Sequence, residues 1–387
     1  MCLDTCPLHL ILRDYEVHSM EKVRAFLARK NITFSAKRYF IDAMSAMAQG
    51  LFCTLLVGTI LDTIGKQFGI GFLTDTFLTI KQGDVTFYYT IGGFCSLMVG
   101  PAMAVAIGKA LEAPPLVLFS LITVGFATNV LGGTGGPLAV FFVAILAAEV
   151  GKAISKETKI DILVTPVVTI LAGIGFAALV ARPIGAAAYS VGNAIMWATE
   201  LQPFFMGILV SVIIGVALTL PISSAAICAS FGLTGLAGGA AVAGCCAQMV
   251  GFAVMSFPEN RWGGLAAQGL GTSMLQMGNI VRNPRVWIPP TLASAITGPL
   301  ATCLFHLEMN GAPVSSGMGT CGLVGQIGVY TGWVYDVAAG VKTAVTGMDW
   351  LGLVLISFVL PAVLTWLIAV PLRKWGWIKD GDLKLDL

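Results

Sequence analysis

The sequence predicts an all-α polytopic membrane protein, with about ten transmembrane helices at ~20 residues each and two re-entrant hairpins. Three observations predict it. The 387 residues are 57% hydrophobic and only 11% charged, against about 25% charged in soluble domains, and mean hydropathy is +0.87. The apolar residues run continuously for about one bilayer thickness rather than alternating, which excludes a β-barrel. Two Gly/Pro/Ser-rich stretches that follow long apolar spans echo one another, and paired interruptions of this kind point to a binding site built from broken helices.

Taken in order, residues 1–19 read as an upstream extension before a second start at Met20. Residues 20–38 read as a basic amphipathic helix at the membrane surface, with Val23, Phe26 and Leu27 on its apolar side. Spans are expected at 40–61, 87–107, 115–131, 137–153, 160–181, 204–220, 238–256, 287–305 and 350–372, with 183–199 and 313–334 ambiguous. Residues 62–86 are too apolar for a free loop, so interfacial or re-entrant helices are expected there. The connection 258–287 reads as hydrophilic. The organisation is thus a tail (1–38), a membrane domain (39–373) and a second tail (374–387). Lys22, Arg24, Arg29, Lys30, Lys37 and Arg38 precede the first span, and Arg373, Lys374, Lys379 and Lys384 follow the last. The positive-inside rule therefore puts both ends in the cytoplasm of a cell whose inner membrane the chain spans.

Opposing charges nearly cancel at +2, so nothing points to nucleic acid. Nine cysteines without CxxC spacing support neither a disulfide framework nor a metal site, and Cys245-Cys246 reads as packing. No phosphate loop or hydrolase motif is present. No catalytic residue, metal ligand or cofactor is assigned, and no connection could hold a soluble catalytic domain.

The echo pairs Pro221-Ile-Ser-Ser with Pro313-Val-Ser-Ser. Ser223, Ser224, Ser315 and Ser316, with Gln248 and Gln326, form a neutral set of donors and acceptors suited to a small polar solute such as a sugar. The same small residues, with Gly235/Gly239 and Gly328/Gly332, also fit a helix seam. A third Gly-rich stretch, 132–137, reads as a tight turn or a broken-helix joint. Arg282 and Arg285 flank Asn283-Pro284, with Asn279 one turn earlier. They could clamp an anionic or hydroxylated ligand, or anchor with Trp287 at the interface. His306 and Glu308 could hydrogen-bond a solute, or lie in a loop before Asn310-Gly311. At i and i+2 they share no helical face, so irregular backbone is needed if both line one site. Asp42, Glu200 and Asp336 are weaker candidates.

The stretches RYFIDAMSAMAQGLF (38–52), NPRVWIPPTLASAITGPLATCLF (283–305) and GMGTCGLVGQIG (317–328) resemble the phosphotransferase-system EIIC-like membrane family, proteins of the toxin-regulator type called PfoR among them. The likeness runs from Met20 to nearly the end. It implies a homodimer, a scaffold domain, a transport domain with two re-entrant hairpins, and a separate IIB-type partner. Sugar-carrying members of the glucose type have a Gly-Ile-Thr-Glu-Pro motif whose glutamate binds the sugar. Here Gly232-Leu-Thr-Gly-Leu236 stands in its place, with Gly235 at the glutamate's position. Glu308 would then substitute, or the ligand is not a usual sugar. The expected function is transport of a small polar solute by elevator-type movement. The alternative is a membrane-embedded sensor-regulator that binds such a ligand without moving it.

Overall fold

A computed structural model describes residues 21–82 and 85–385; the expectation for residues 1–19 lies outside them. Helix α1 (21–29) precedes a short extended linker. It is tied to the body by its own basic residues. Arg29 pairs with Glu157 at 2.8 Å and Lys30 pairs with the same carboxylate. Phe26 and Leu27 are half-buried and Val23 is exposed.

Helix α2 (Lys37–Lys66) is one apolar stretch of 30 residues, about 45 Å at 1.5 Å per residue. Residues 62–90 differ from expectation. α2 runs into the first part, a one-turn helix follows at Gly71–Thr74, and the remainder folds as an antiparallel pair, β1 (Leu78–Gln82) and β2 (Val85–Tyr89), with Leu78 opposite Tyr89. The β-branched and aromatic residues there (LTIKQ, VTFYY) suit a strand better than an interfacial helix.

Helices α3 (Ile91–Leu97) and α4 (Val99–Ala110) form a pair bent by 49°. The carbonyl of Leu111, just past α4, accepts from Arg38 Nη2 at 2.6 Å and from buried Lys152 Nζ at 3.0 Å. Two cations at a helix C-terminus complement its partial negative charge. Lys152 also pairs with Glu149 at 3.0 Å, and Glu149 accepts from Tyr39 Oη at 3.1 Å, so this buried lysine is neutralised in place.

Helices α5 (Pro115–Gly132) and α6 (Gly136–Ile154) are continuous in helical hydrogen bonding but not in direction. A methyl at Gly151 would sit 2.7 Å from Val117 Cγ1, so the chain doubles back at Gly133, whose φ is +52°. The Gly-rich 132–137 stretch is the tight turn expected.

Helix α7 (Asp161–Thr199) joins the expected 160–181 span and the ambiguous 183–199 stretch into one 39-residue helix with Pro166 and Pro183 inside. It buries a stripe of small residues, Thr165, Thr169, Gly173, Ala177 and Ala181, against α5 and α6. Leu163, Val167, Leu171 and Leu179 face outward. Four-residue spacing of small side chains lets helix backbones approach closely.

The second half is built around α10 (Gly235–Met255), which is buried along almost its whole length from Ala237 to Met255. Helices α8 (Pro203–Thr219), α13 (Ile288–Pro299, continued by a wide turn to Leu304) and α15 (Gly347–Lys374) surround it. Cys245 and Cys246 are fully buried in α10, as packing requires. Among the described residues, five helical stretches are long and apolar enough to cross a membrane, six with the bent α3–α4 pair.

The Glu157 carboxyl is held below the usual glutamate range, first by the hydrogen bond from Lys30 and then by the Arg29 and Lys30 charges. A depressed carboxylate contributes above its unfolded pKa, and that contribution is lost as pH falls through the lower folded value. α1 should therefore stay docked at neutral pH and detach only below the ordinary glutamate range. Limited trypsinolysis at Lys22 and Arg24 checks this: Glu157→Gln should be cleaved at neutral pH as readily as the parent chain is in acid-pretreated samples.

Candidate binding site

The two echoing stretches meet. In the first, α8 ends at Thr219, the chain turns through Leu220–Ile222, and Ser223 caps the short helix α9 (Ser224–Ser230), its side chain accepting from Ala226 N–H at 3.2 Å. In the second, the chain leaves α13, turns at Phe305 and His306, whose φ is +44°, and runs without helix to 312. It turns through Pro313–Gly317 and Cys321–Leu323, then enters α14 (Val324–Ala338). Pro221 and Pro313 cannot continue a helix ladder, and the paired serines offer the local backbone alternative bonds.

Both stretches are helical hairpins laid along α10. The first reaches the level of Gln248, where Thr219 Oγ1 donates to Gln248 Oε1 at 3.3 Å, and returns to Gly235. The second starts at Met309 beside Gly235 and reaches Met249, where Thr320 Oγ1 lies 3.6 Å from the sulfur. It comes back so that Gly332 lies against Asn310. Gly235 N–H donates to Met309 O and Met309 N–H to Gly235 O, both at 3.0 Å. Ser224 Oγ donates to Gly317 O at 2.8 Å, and Ser316 Oγ to Leu233 O at 2.7 Å. The glycines expected to form a seam are what permits this. A methyl at Gly239 would sit 1.7 Å from Leu307 O, and one at Gly328 2.5 Å from Ser315 Cβ. Seam and broken helix are one construction.

The hairpin tips face α2. A small gap beside them is lined by Leu51 and Leu55 of α2, by Ser223 and Ser224, and by Thr272 and Met318. Along the same two elements, α2 and the 272–282 segment, lies a larger polar cavity of about 430 Å³, within the usual range for small-molecule sites. Asp42, Ser45 and Gln49 of α2 form one wall, Asn279 and Arg282 of helix α12 (Met277–Arg282) another, and Gly381, Lys384 and Leu385 a third. The start of α2 and the segment 381–385 thus share one face of the molecule.

The predicted residues therefore divide. Asn279 and Arg282 line the cavity, and the formerly weak candidate Asp42 joins them. Ser223, Ser224 and Ser316 sit at the hairpin tips with their hydroxyls engaged by backbone, and Ser315 is buried beside them. Gln326, at the start of α14, donates to Cys246 Sγ at 3.3 Å, and its buried Oε1 has no hydrogen-bond partner among the described residues. Gln248 knots helices together: it accepts from Trp287 Nε1 at 2.9 Å and donates to Thr291 at 3.2 Å. Asn283 and Arg285 hold the segment after α15, Asn283 by donating to Trp377 O at 2.9 Å and Arg285 by stacking over the Trp377 ring at 5.2 Å.

His306 and Glu308 are both exposed, with buried Leu307 between them and buried Met309 after. The backbone is irregular here, with His306 at φ +44°, and both side chains reach the surface on either side of buried Leu307. They lie at the other end of α10 from the cavity, where Asn310 Nδ2 donates to Glu308 at 3.0 Å and to Asp336 at 2.9 Å. Glu200 is exposed and away from both places.

Three residues beneath the cavity escaped sequence reading. Buried Gln268 and Gln276 are linked at 2.9 Å, and Asn279 donates to Gln276 at 2.7 Å. Asn260 joins this layer. The stretch 258–287 reads as a hydrophilic connection because its glycines, glutamines and asparagines look like loop. Helices α11 (Phe257–Ala266) and α12, with tight turns between them, instead fold it into the body. The regular recurrence of amides at 268, 276, 279 and 283 was the available signal.

A family model described as phosphotransferase system, EIIC matches residues 41–385. No curated protein and no solved structure matches the chain.

Adding a methyl at Gly239 should force the second hairpin off α10, costing about 1–3 kcal/mol or more, as overpacking does. Gly175, on the outer side of α7 with nothing within 4 Å, is the control. Thermal melting in detergent should show Gly239→Ala clearly destabilised and Gly175→Ala unchanged.

Proposed function

Because the chain belongs to the phosphotransferase-system EIIC family, we propose that it carries a small polar solute, a carbohydrate or related metabolite, across the membrane. The observation that carries this reading is the alignment of the polar cavity with the two hairpin tips between α2 and the 272–282 segment. Asp42 supplies acceptors, Arg282 supplies donors, and Ser45 and Gln49 supply both; the Asn279 amide hydrogens are spent on Gln276 and Lys384 O, which leaves its Oδ1 as an acceptor. That inventory recognises hydroxyl groups, and the guanidinium also suits an anionic substituent.

The arrangement supports a two-body mechanism. Helices α2 to α7 form one packed group, and α8 to α15 with both hairpins form another. The solute enters the cavity, reaches Ser223, Ser224 and Thr272 at the tips, and is released on the opposite face when the hairpin-bearing group moves against the first. In this reading α2, α3–α4, α5, α6, α7, α10, α13 and α15 cross the bilayer, roughly eight crossings at this length scale. The hairpins enter and leave from one side. The span expected at 204–220 and the ambiguous stretch 313–334 become hairpin arms. The even count keeps both ends on the cavity face, which the basic residues place in the cytoplasm. The outward apolar side of α7 suits a second copy of the chain, and a separate IIB-type protein would reach the solute at the cytoplasmic cavity.

A ligand that binds only the folded state raises its melting temperature by mass action. Thermal-shift screening against sugars, sugar phosphates and polyols should give hits, and Arg282→Gln should weaken the best of them about 10-fold, the loss of one charge-assisted hydrogen bond. Glu308→Gln should leave this binding unchanged if the cytoplasmic cavity is the loading site. A hit whose affinity ignores Arg282 but falls with Glu308→Gln would move the site to the other end of α10.

A further inference from the structure

The segment after α15 does not hang free. Residues 376–385 have no extended helix or strand, yet Ile378 is 2% exposed and Leu383 fully buried. Side-chain amides read its backbone. Leu383 O accepts from Asn260 Nδ2 at 2.7 Å and from Gln276 Nε2 at 3.0 Å. Lys384 O accepts from Asn279 Nδ2 at 2.9 Å, and Leu385 N–H donates to Asn260 Oδ1 at 2.8 Å. Asn260 thus matches a donor and an acceptor two residues apart, as a neighbouring strand would. Asn283 donates to Asp382 at 2.8 Å as well as to Trp377 O. The same segment then forms one wall of the polar cavity and places Lys384 in it.

We propose that residues 376–385 are a displaceable strap that closes the polar cavity and regulates access to it. This rests on the cavity being the loading site. Three features make the strap releasable rather than a fixed part of the core. Its polar contacts at 383–385 are single hydrogen bonds between neutral amides and peptide groups, each of which water can replace, and its ion pair, Arg373 with Asp380 at 3.2 Å, has a fully exposed carboxylate and adds little. Gly376 and Gly381 lie at φ of +72° and +92°, with open space where a side chain would stand, so two glycine hinges precede the buried Leu383 anchor, one on either side of Ile378. The amides beneath the strap are already linked by Gln268–Gln276–Asn279 bonds, so the slot keeps part of its network when the strap leaves. Asp42, Gln49 and Arg282 at the mouth are exposed with the strap in place; release uncovers half-buried Ser45 and buried Asn279 deeper in and takes the Lys384 charge out of the cavity. An emptied amide slot then remains for an extended peptide segment.

The test measures closure without any solute. Ser45→Cys is placed in the full chain, with the exposed Cys53 and Cys303 replaced by alanine, and reconstituted in vesicles. Its modification by a bulky impermeant maleimide is timed by peptide mass spectrometry. Leu383→Asp, which puts a charge into the buried anchor site, should raise the rate at least about tenfold by shifting the local opening equilibrium. An Asn260→Cys/Leu385→Cys disulfide should lower the rate below that of the unlocked chain, and reductant should restore it. Equal rates in all three would overturn the strap. If Leu383→Asp abolishes cooperative melting, the disulfide arm decides alone: no slowing on oxidation overturns the proposal. Solute binding is not part of the readout, so a chain that opens and closes but binds no solute would sink the transport reading and leave the strap standing.

Discussion

The reciprocal hydrogen bonds between Gly235 and Met309 are the constraint on which the rest of the second half depends. A chain that leaves the helix within a bilayer carries peptide groups that lipid cannot satisfy, so each must find a partner inside the protein. Here two interrupted segments satisfy one another, and they do so on a helix buried along almost its whole length. Ser224 and Ser316 extend the pairing, each donating across to the other hairpin's backbone. Close approach needs residues without side chains, hence Gly238 and Gly239 on α10 and Gly328 and Gly332 on α14. The wall of helices α8, α13 and α15 then keeps lipid away from the irregular backbone.

The first half answers a different need. Its helices pack through small residues and hold few charges. A cluster of them lies at one end, where Arg38 and Lys152 meet the Leu111 carbonyl and Glu149 neutralises Lys152. A buried lysine with a carboxylate and a helix C-terminus around it is a joint between α2, α4 and α6. It gives the second half a firm surface, chiefly α2, against which the hairpin tips and the 272–282 segment are placed. The polar cavity exists because these two surfaces meet with Asp42, Ser45 and Gln49 on one side and Asn279 and Arg282 on the other.

What sequence could show follows from the physics of each part. Long apolar helices announce themselves by length, and the echo of Pro-x-Ser-Ser announced two interruptions that the fold brings together. Arg282 and Asn279 were legible because charge and amide at the edge of an apolar span are costly without a purpose. Depth was not legible. Residues 204–220 have the composition of a span, yet α8 turns back at the level of Gln248, because what decides its end is the partner hairpin and not its own hydropathy. The loop-like 258–287 stretch hid a buried amide layer for the related reason that glutamine and asparagine satisfy each other only once folded. Of the serines read as ligand groups, Ser224 and Ser316 donate to backbone carbonyls and Ser223 accepts from Ala226 N–H, the competing use that a neutral hydroxyl has.

The most direct test of the account is whether the hairpin tips can be reached from both sides of the membrane. Ser223→Cys, again with Cys53 and Cys303 replaced, would be challenged with a small impermeant thiol reagent applied separately to each face of oriented vesicles. The account predicts modification from either face, with solute shifting the balance between them, since the tips are where the two access routes meet. Modification from the cavity face alone, unaltered by any solute that binds, would contradict it and leave a membrane receptor in place of a carrier.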